Sequence, residues 1–471
     1  MFLGREIELK ALGRLKKLDK ASLVVCRGRR RIGKSTLIEH FSKDLNFLEF
    51  QGLPPAEGQV RTAQLDHFSK QLSVNLNLPN MNFSNWSDAF TFLSSQIPKK
   101  RTLILLDEIS WMSKSEPNFT GYLKIAWDTY FKKHKNLILV LCGSVSSWID
   151  QNILNSTGMM GRVSLTLSPQ ELSLSDCNRY WNKKPKVSSF EKLKVLSVIG
   201  GVPKYLEEID TSSSAEENIA ALCFNPTGFL FDEFNMIFND IFSRKSATYK
   251  KIVLSLVDGR KSLSEICDIN NIDNNGTYSN YLSDLESSGF VTRDYIYSVK
   301  TAKQSKASYY RLKDNYLRFY LKYIEPRKDQ LRKNIYNTND VEQFLSFDSI
   351  MGLQFENLVM SNLNAVIEKI GIGRNSILSA SPYFQKKTLR LEALQIDLLI
   401  QTKNSLYICE MKFTKKVHAS VIDELLLKSK RLKSPKHFSH RYILIYTGEL
   451  ENKSLQEEFF DRLIYFPDML S

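Results

Sequence analysis

The octapeptide Gly28-Arg-Arg-Arg-Ile-Gly33-Lys34-Ser35 fits G-x-x-x-x-G-K-[ST], between an apolar run, Leu23–Cys26, and an amphipathic segment, Thr36–Ser42. That pattern constrains the fold more than any other in the chain. Its glycines let the backbone curl so that successive N–H groups face phosphate oxygens, the lysine reaches the β/γ-phosphates, and the serine hydroxyl can hold Mg²⁺. A strand before the loop and a helix after it add the positive end of a helix dipole. The expected nucleotide-contacting set is Gly28, Arg29, Arg30, Arg31, Ile32, Gly33, Lys34, Ser35 and Thr36. Arg29, Arg30 and Arg31 could reach phosphates or face solvent. ATP and Mg²⁺ are the ligands implied.

A second element follows. Leu103-Ile-Leu-Leu-Asp107-Glu108 is an apolar strand ending in two carboxylates. Behind a phosphate loop it reads as a Walker B strand, with Asp107 holding Mg²⁺ through water and Glu108 polarising the attacking water. On its own it would be a solvated strand end. Leu23–Cys26, Asn46–Gln51, Leu103–Leu106, Leu137–Cys142 and Val163–Leu167 are strand-sized apolar runs separated by helical patterns. This alternation predicts a parallel sheet built from crossover units. Residues 170–245 read as helical.

The chain has 471 residues, long enough for roughly three domains. Its 65 Lys+Arg against 51 Asp+Glu give a net charge of +14, which suits anionic partners. No apolar run approaches the ~20 residues of a membrane helix, and the opening MFLGREIELK lacks a signal-peptide core. The six cysteines are scattered without a CxxC pair, as in a reduced, cytoplasmic protein. The expectation is a soluble cytoplasmic protein with no membrane partner.

Taken in order, Phe2-Leu-Gly4-Arg5-Glu6, the phosphate loop, LILLDE, Leu141-Cys-Gly-Ser144, Gly161-Arg162 and Gly200-Gly-Val-Pro203-Lys-Tyr-Leu206 resemble the archaeal-type ATPase family of the AAA+/STAND group. The resemblance implies that Gly4 and Arg5 lie beside the adenine and that Pro203 packs on the base. Ser144 matches the position from which a small polar side chain senses the γ-phosphate; the alternative is a strand-terminating Gly-Ser turn. Arg162 is a candidate transition-state arginine, acting in cis or on a neighbouring subunit of a homo-oligomer; the alternative is a surface residue before a strand.

Residues 246–313 predict a winged helix: short helices at Tyr249–Val257, Ser262–Asn270 and Gly276–Ser288, then strands Phe290–Tyr297 and Ser308–Leu312. Asn275–Leu282, at the start of the expected recognition helix, holds no Lys or Arg, which favours a regulatory lid over base reading. Residues 300–333 then carry eleven Lys/Arg against three acids, interleaved with tyrosines 309, 310, 316, 320 and 323. Cations with stacking rings suit a nucleic-acid channel, and the same tyrosines suit a helix core.

In the last 120 or so residues, Glu356 lies on an expected helix (Gly352–Ile370), Asp397 on one strand, and Glu410-Met-Lys412 on the next. This layout resembles the PD-(D/E)xK nuclease fold. The resemblance implies that Asp397 and Glu410 bind Mg²⁺, that Glu356 helps hold metal or water, and that Lys412 positions the nucleophile. The alternatives are a solvated sheet face or the same fold without activity.

The expected architecture is α/β: a P-loop ATPase core (1–168), a helical lid (169–245), a winged helix with a basic connector (246–347), and a restriction-endonuclease-like domain (348–471). The expected function is an ATPase that couples nucleotide state to DNA binding or Mg²⁺-dependent cleavage. The alternative is a non-catalytic STAND-type switch with an inactive nuclease fold.

Overall fold

A computed structural model describes residues 2–54, 62–114, 116–181, 187–242, 245–272, 276–333, 335, 347–389 and 391–470. Chain contacts group it into two units: Met1–Leu172 with Ser287–Gly289, and Ser173–Glu286 with Phe290–Ser471. The expected lid, helix–hairpin module and C-terminal domain thus fall in one unit.

The first unit is built on five parallel strands, β1 (Ser22–Arg27), β2 (Asn46–Gln51), β3 (Thr102–Asp107), β4 (Leu137–Gly143) and β5 (Val163–Leu167), in the order β2-β3-β4-β1-β5. All five expected strands form. β3 and β4 are buried along their whole length, because helices cover both faces. Alternation divides their side chains between two cores. Leu23, Val25, Ile104, Leu106, Leu139 and Leu141 face one, whereas Val24, Cys26, Leu103, Leu105, Ile138 and Val140 face the other with Leu12, Leu37 and Ile38. Each such side chain contributes about 1.5–3 kcal/mol of burial, so Leu105→Ala would cost about 2–5 kcal/mol.

In the second unit the helices Ser246–Leu254, Leu263–Ile269 and Gly276–Ser287 precede an antiparallel hairpin of β6 (Val291–Ser298) and β7 (Lys303–Leu312). Ser262 caps the middle helix in a reciprocal box with Glu265. Asn275, expected to open the third helix, and residues 334 and 336–346 of the expected connector lie outside the described residues.

The C-terminal sheet uses β8 (Ile377–Gln385), β9 (Leu394–Thr402), β10 (Ser405–Lys412), β12 (Ser439–Tyr446) and β14 (Arg462–Tyr465), in the order β14-β12-β10-β9-β8. The two-residue strands β11 (Lys416–Val417) and β13 (Glu449–Leu450) pair separately. β8–β9–β10 run antiparallel and β10–β12–β14 parallel. The helix expected over Gly352–Ile370 is two helices, Phe347–Ser361 and Leu363–Ile370, broken at Asn362. The Asn362 side chain is committed instead to Leu358 O and to Leu174 N.

Among the described residues, no helix is long and apolar enough to cross a membrane. All six cysteines are buried and unbridged.

Candidate active sites

In the first unit, phosphate-loop residues follow β1 at the carboxyl end of the sheet, where open α/β sheets bind ligands. Gly28 and Gly33 take φ of 145° and 81°, which an L side chain would strain. Gly33 caps the helix Lys34–Ser42. Lys34 is buried and folds back over the loop, its Nζ donating to Gly28 O at 3.0 Å and Arg29 O at 3.1 Å. Those carbonyls hold the ammonium over its own loop.

The fold brings Ser35 and Asp107 together across 72 residues: Ser35 Oγ donates to Asp107 Oδ2 at 2.6 Å. A hydroxyl and a carboxylate so placed form an all-oxygen pair suited to Mg²⁺. Glu108 follows in the left-handed region, φ 48°. Its carboxylate accepts from Ser144, through Oγ at 2.9 and 3.0 Å and the backbone N–H at 3.1 Å. Gly52 was not singled out in the sequence, yet a Cβ there would meet Glu108 O at 2.7 Å. Only a glycine lets β2 end so close to Glu108.

Arg5 is buried and serves the loop through its backbone. It donates to Ile32 O at 2.8 Å and to Gln170 O at 2.6 Å. Arg29 is also buried, 3.4 Å from Glu171. Ile32 is buried, Arg30 and Arg31 are partly buried, and Thr36 is exposed on the helix's first turn. Gly4 has φ 69°. Pro203 opens the helix Pro203–Leu206 in the second unit, after Gly200 at φ 67°.

A transition-state role for Arg162 within its own subunit conflicts with the sheet register. Val163 pairs with Leu23, so Arg162 lies at the amino end of the parallel sheet. At about 3.3 Å per residue that is roughly 17 Å of strand from Gly28. There Arg162 forms a two-pronged ion pair with Asp128, at 2.9 and 2.7 Å. Hydrogen bonding to Arg162 holds the Asp128 carboxyl below its usual range.

In the second unit, β9 and β10 carry Asp397 and Glu410 one step beyond the Leu398–Cys409 pair, which sets the two carboxylates side by side. Asp397 Oδ2 accepts from Met411 N at 3.0 Å. Burial raises the Asp397 pKa, and the Glu356 charge raises it further, against Lys428 and Arg260. Burial, then Asp397, raises that of Glu410. Glu410 and Lys412 share a face of β10. Glu410 accepts from Lys428 at 2.5 Å and pairs with Lys412 at 3.2 Å, while Lys412 also reaches Glu424 at 2.7 Å. Burial opposes the charge on Lys412, but Glu410 and Glu424 hold its pKa above the ordinary lysine value. Glu356 is held by Arg260 at 2.5 Å.

A buried Glu410 whose pKa the neighbouring Asp397 raises, beside an Asp397 raised by burial and by Glu356, makes an all-oxygen pair that fits a divalent cation. Among the described residues, however, no three His, Cys, Asp or Glu side chains gather closely enough to hold a metal ion. The third carboxylate is turned onto Arg260. Arg260, which sequence reasoning missed, lies 96 residues before its partner. Lys428, 18 residues after Glu410, carries no sequence signal that it serves that carboxylate.

The nucleic-acid channel reading of residues 300–333 is corrected. Tyr316, Tyr320 and Tyr323 are fully buried and form part of the core. Arg311 is buried against Asp294 at 3.0 Å, and Arg318 is fully buried, donating to Leu312 O. Lys322 and Lys328 are paired with Asp258 and Asp232. Lys300, Lys303 and Lys306, around the hairpin turn, are exposed.

Residues 2–209 match a family model described as an ATPase domain predominantly from Archaea. The chain is 25% identical over 358 residues to an uncharacterized protein of Methanocaldococcus jannaschii, MJECL04, covering 76% of each chain. Among solved structures it is similar to the Walker-type ATPase PABY2304 of Pyrococcus abyssi, with a TM-score of 0.47 and 15% identity over 68% of this chain and 96% of that one. It is also similar to the ORC2 protein of Aeropyrum pernix, with a TM-score of 0.38 and 15% identity over 70% and 94%. The family match supports an archaeal-type ATPase domain in the first 209 residues.

Proposed function

We propose that this chain hydrolyses ATP and uses the nucleotide state to control DNA binding or metal-dependent cleavage of DNA by its C-terminal domain. The observation that carries the ATPase reading is the Ser35–Asp107 pair beside Lys34 and Glu108. Lys34 would leave its loop carbonyls for the β- and γ-phosphate oxygens of ATP, and Gly28–Ser35 N–H groups would cradle them. Ser35 and Asp107 would hold Mg²⁺, whose charge offsets that developing on the transferred phosphoryl group. Glu108, oriented by Ser144, would accept a proton from the attacking water.

For the C-terminal domain, Asp397 and Glu410 would hold a divalent cation, which polarises a phosphodiester oxygen. Lys412 would orient the attacking water and Glu356 would hold water or metal. Arg162 would reach a nucleotide only on a neighbouring subunit. A cytoplasmic setting fits the six unbridged cysteines.

One observation favours the second reading, a switch with an inactive nuclease fold. Two of the three carboxylates expected at the metal centre are ion-paired with a cation of the protein, Glu356 with Arg260 and Glu410 with Lys428. Incubating purified chain with single- and double-stranded DNA, with and without ATP and Mg²⁺, separates the two. Nicking that is lost in Glu410→Ala while ATPase persists supports the first reading. ATPase activity with no cleavage supports the second.

A further inference from the structure

We propose that Arg260 is a latch on the carboxylate centre: a divalent cation binds fully there only when the guanidinium leaves Glu356. The inference rests on reading Asp397 and Glu410 as a metal centre.

Arg260 lies between the helices Ser246–Leu254 and Leu263–Ile269, in the helix–hairpin module. Its neighbour Lys261 exchanges two backbone hydrogen bonds with Tyr310, at 2.9 and 2.7 Å, which pins this segment to β7. The side chain runs over the ring of Phe384 on β8, 4.9 Å from its centroid, and reaches Glu356 Oε2 through Nη2. The pair is secluded, its side chains only 9% and 16% exposed. The second terminal nitrogen, Nη1, is buried without a hydrogen-bond partner. A guanidinium that leaves one buried donor unused is held there by the ion pair and the ring, not by a complete set of bonds.

Charge balance gives the pair its meaning. Glu356, Asp397 and Glu410 face three cations, Arg260, Lys412 and Lys428. A divalent ion drawn to the carboxylates must displace positive charge. Lys412 and Lys428 are 30% and 24% exposed, on flexible stems that can swing into water. Arg260 has no such exit unless its own segment moves. The centre therefore fills in two stages: Asp397 and Glu410 are available at once, while Glu356 becomes available only when the helix–hairpin module shifts. Metal occupancy and the position of that module are then linked, each biasing the other.

The test is a calorimetric titration of full-length, nucleotide-free protein with Mn²⁺, in wild type, Arg260→Gln, Arg260→Lys and Glu410→Ala. The C-terminal site is the component that Glu410→Ala removes. The latch predicts that Arg260→Gln tightens this component by roughly fivefold or more, or makes it appear where wild type shows none. Arg260→Lys, which keeps the charge but shortens the reach, moves the same way by less and serves if the glutamine variant melts early. Glu356→Gln in the Arg260→Gln background should erase the gain. A Glu410-dependent component that both Arg260 variants leave unchanged or weaken overturns the latch and leaves the metal centre standing. No Glu410-dependent binding in wild type or either Arg260 variant overturns both.

Discussion

Ser144 holds the Glu108 carboxylate at two points, through one hydroxyl proton shared between both carboxylate oxygens at 2.9 and 3.0 Å and through its backbone N–H at 3.1 Å. Ser144 is fully buried at the end of β4, and Glu108 sits in the left-handed region just past β3. Neighbouring parallel strands thus aim one side chain at the other. With that geometry Ser144 would act as a positioning residue for the proposed base. Glu108→Gln should lower ATPase kcat by about 10²–10⁴-fold with little change in nucleotide affinity. Ser144→Ala should lower kcat by roughly tenfold, since a freed carboxylate samples unproductive geometries. Steady-state ATPase assays with parallel nucleotide-binding titrations check both. A faster Ser144→Ala enzyme would mean that the serine restrains the base.

Among the described residues Lys34 donates to carbonyls of its own loop and to no carboxylate, so removing it leaves no buried partner charge among them. Lys34→Ala should therefore fold normally and lose most of its ATP affinity. Thermal melting with and without ATP reads both: an unchanged midpoint without nucleotide, and no ATP-induced rise.

The buried tyrosines make a prediction about stability. Tyr316 donates its hydroxyl to Leu230 O at 2.6 Å and accepts from Phe234 N at 3.0 Å. Tyr316→Phe strands both groups and should cost about 1–3 kcal/mol, measured by urea unfolding. DNA affinity should not change. Lost DNA binding at full stability would restore the stacking role.

Asp397 gives a pH dependence. An ordinary aspartate titrates near 3.9, and burial and Glu356 raise this one in the folded chain. As pH rises through about 4 the unfolded chain gives up this proton first, so stability falls until the folded group also ionises. Asp397→Asn removes that penalty. In EDTA the variant should melt above wild type at pH 7–8, with the gap closing toward pH 4. A gap of the opposite sign would mean that the carboxylate is stabilising as an anion.

The first sheet was legible because its central strands β1, β3 and β4 are nearly continuous apolar runs, as a sheet covered on both faces requires, and because helical patterns separate them. β8 and β14 were not. β8 carries Pro382 at the sheet edge, and β14 has four residues with no clear alternation. The placement of Arg162 was in fact readable. A residue that precedes a parallel strand lies at the end opposite to the loop that follows its neighbour. The tyrosines could not be decided, since rings at helical spacing suit a core and a stacking platform alike. The Arg260–Glu356 pair left no trace, because two residues so far apart in sequence meet only through the tertiary fold.

Control of DNA cleavage by nucleotide is tested most directly by following cleavage of circular DNA in Mg²⁺ by wild type, Lys34→Ala and Glu410→Ala, each with and without ATP. The account predicts nicking by wild type that depends on ATP, a rate in Lys34→Ala that no longer responds to ATP, and none in Glu410→Ala. Nicking that persists in Glu410→Ala, or that ATP leaves unchanged in wild type, would contradict it.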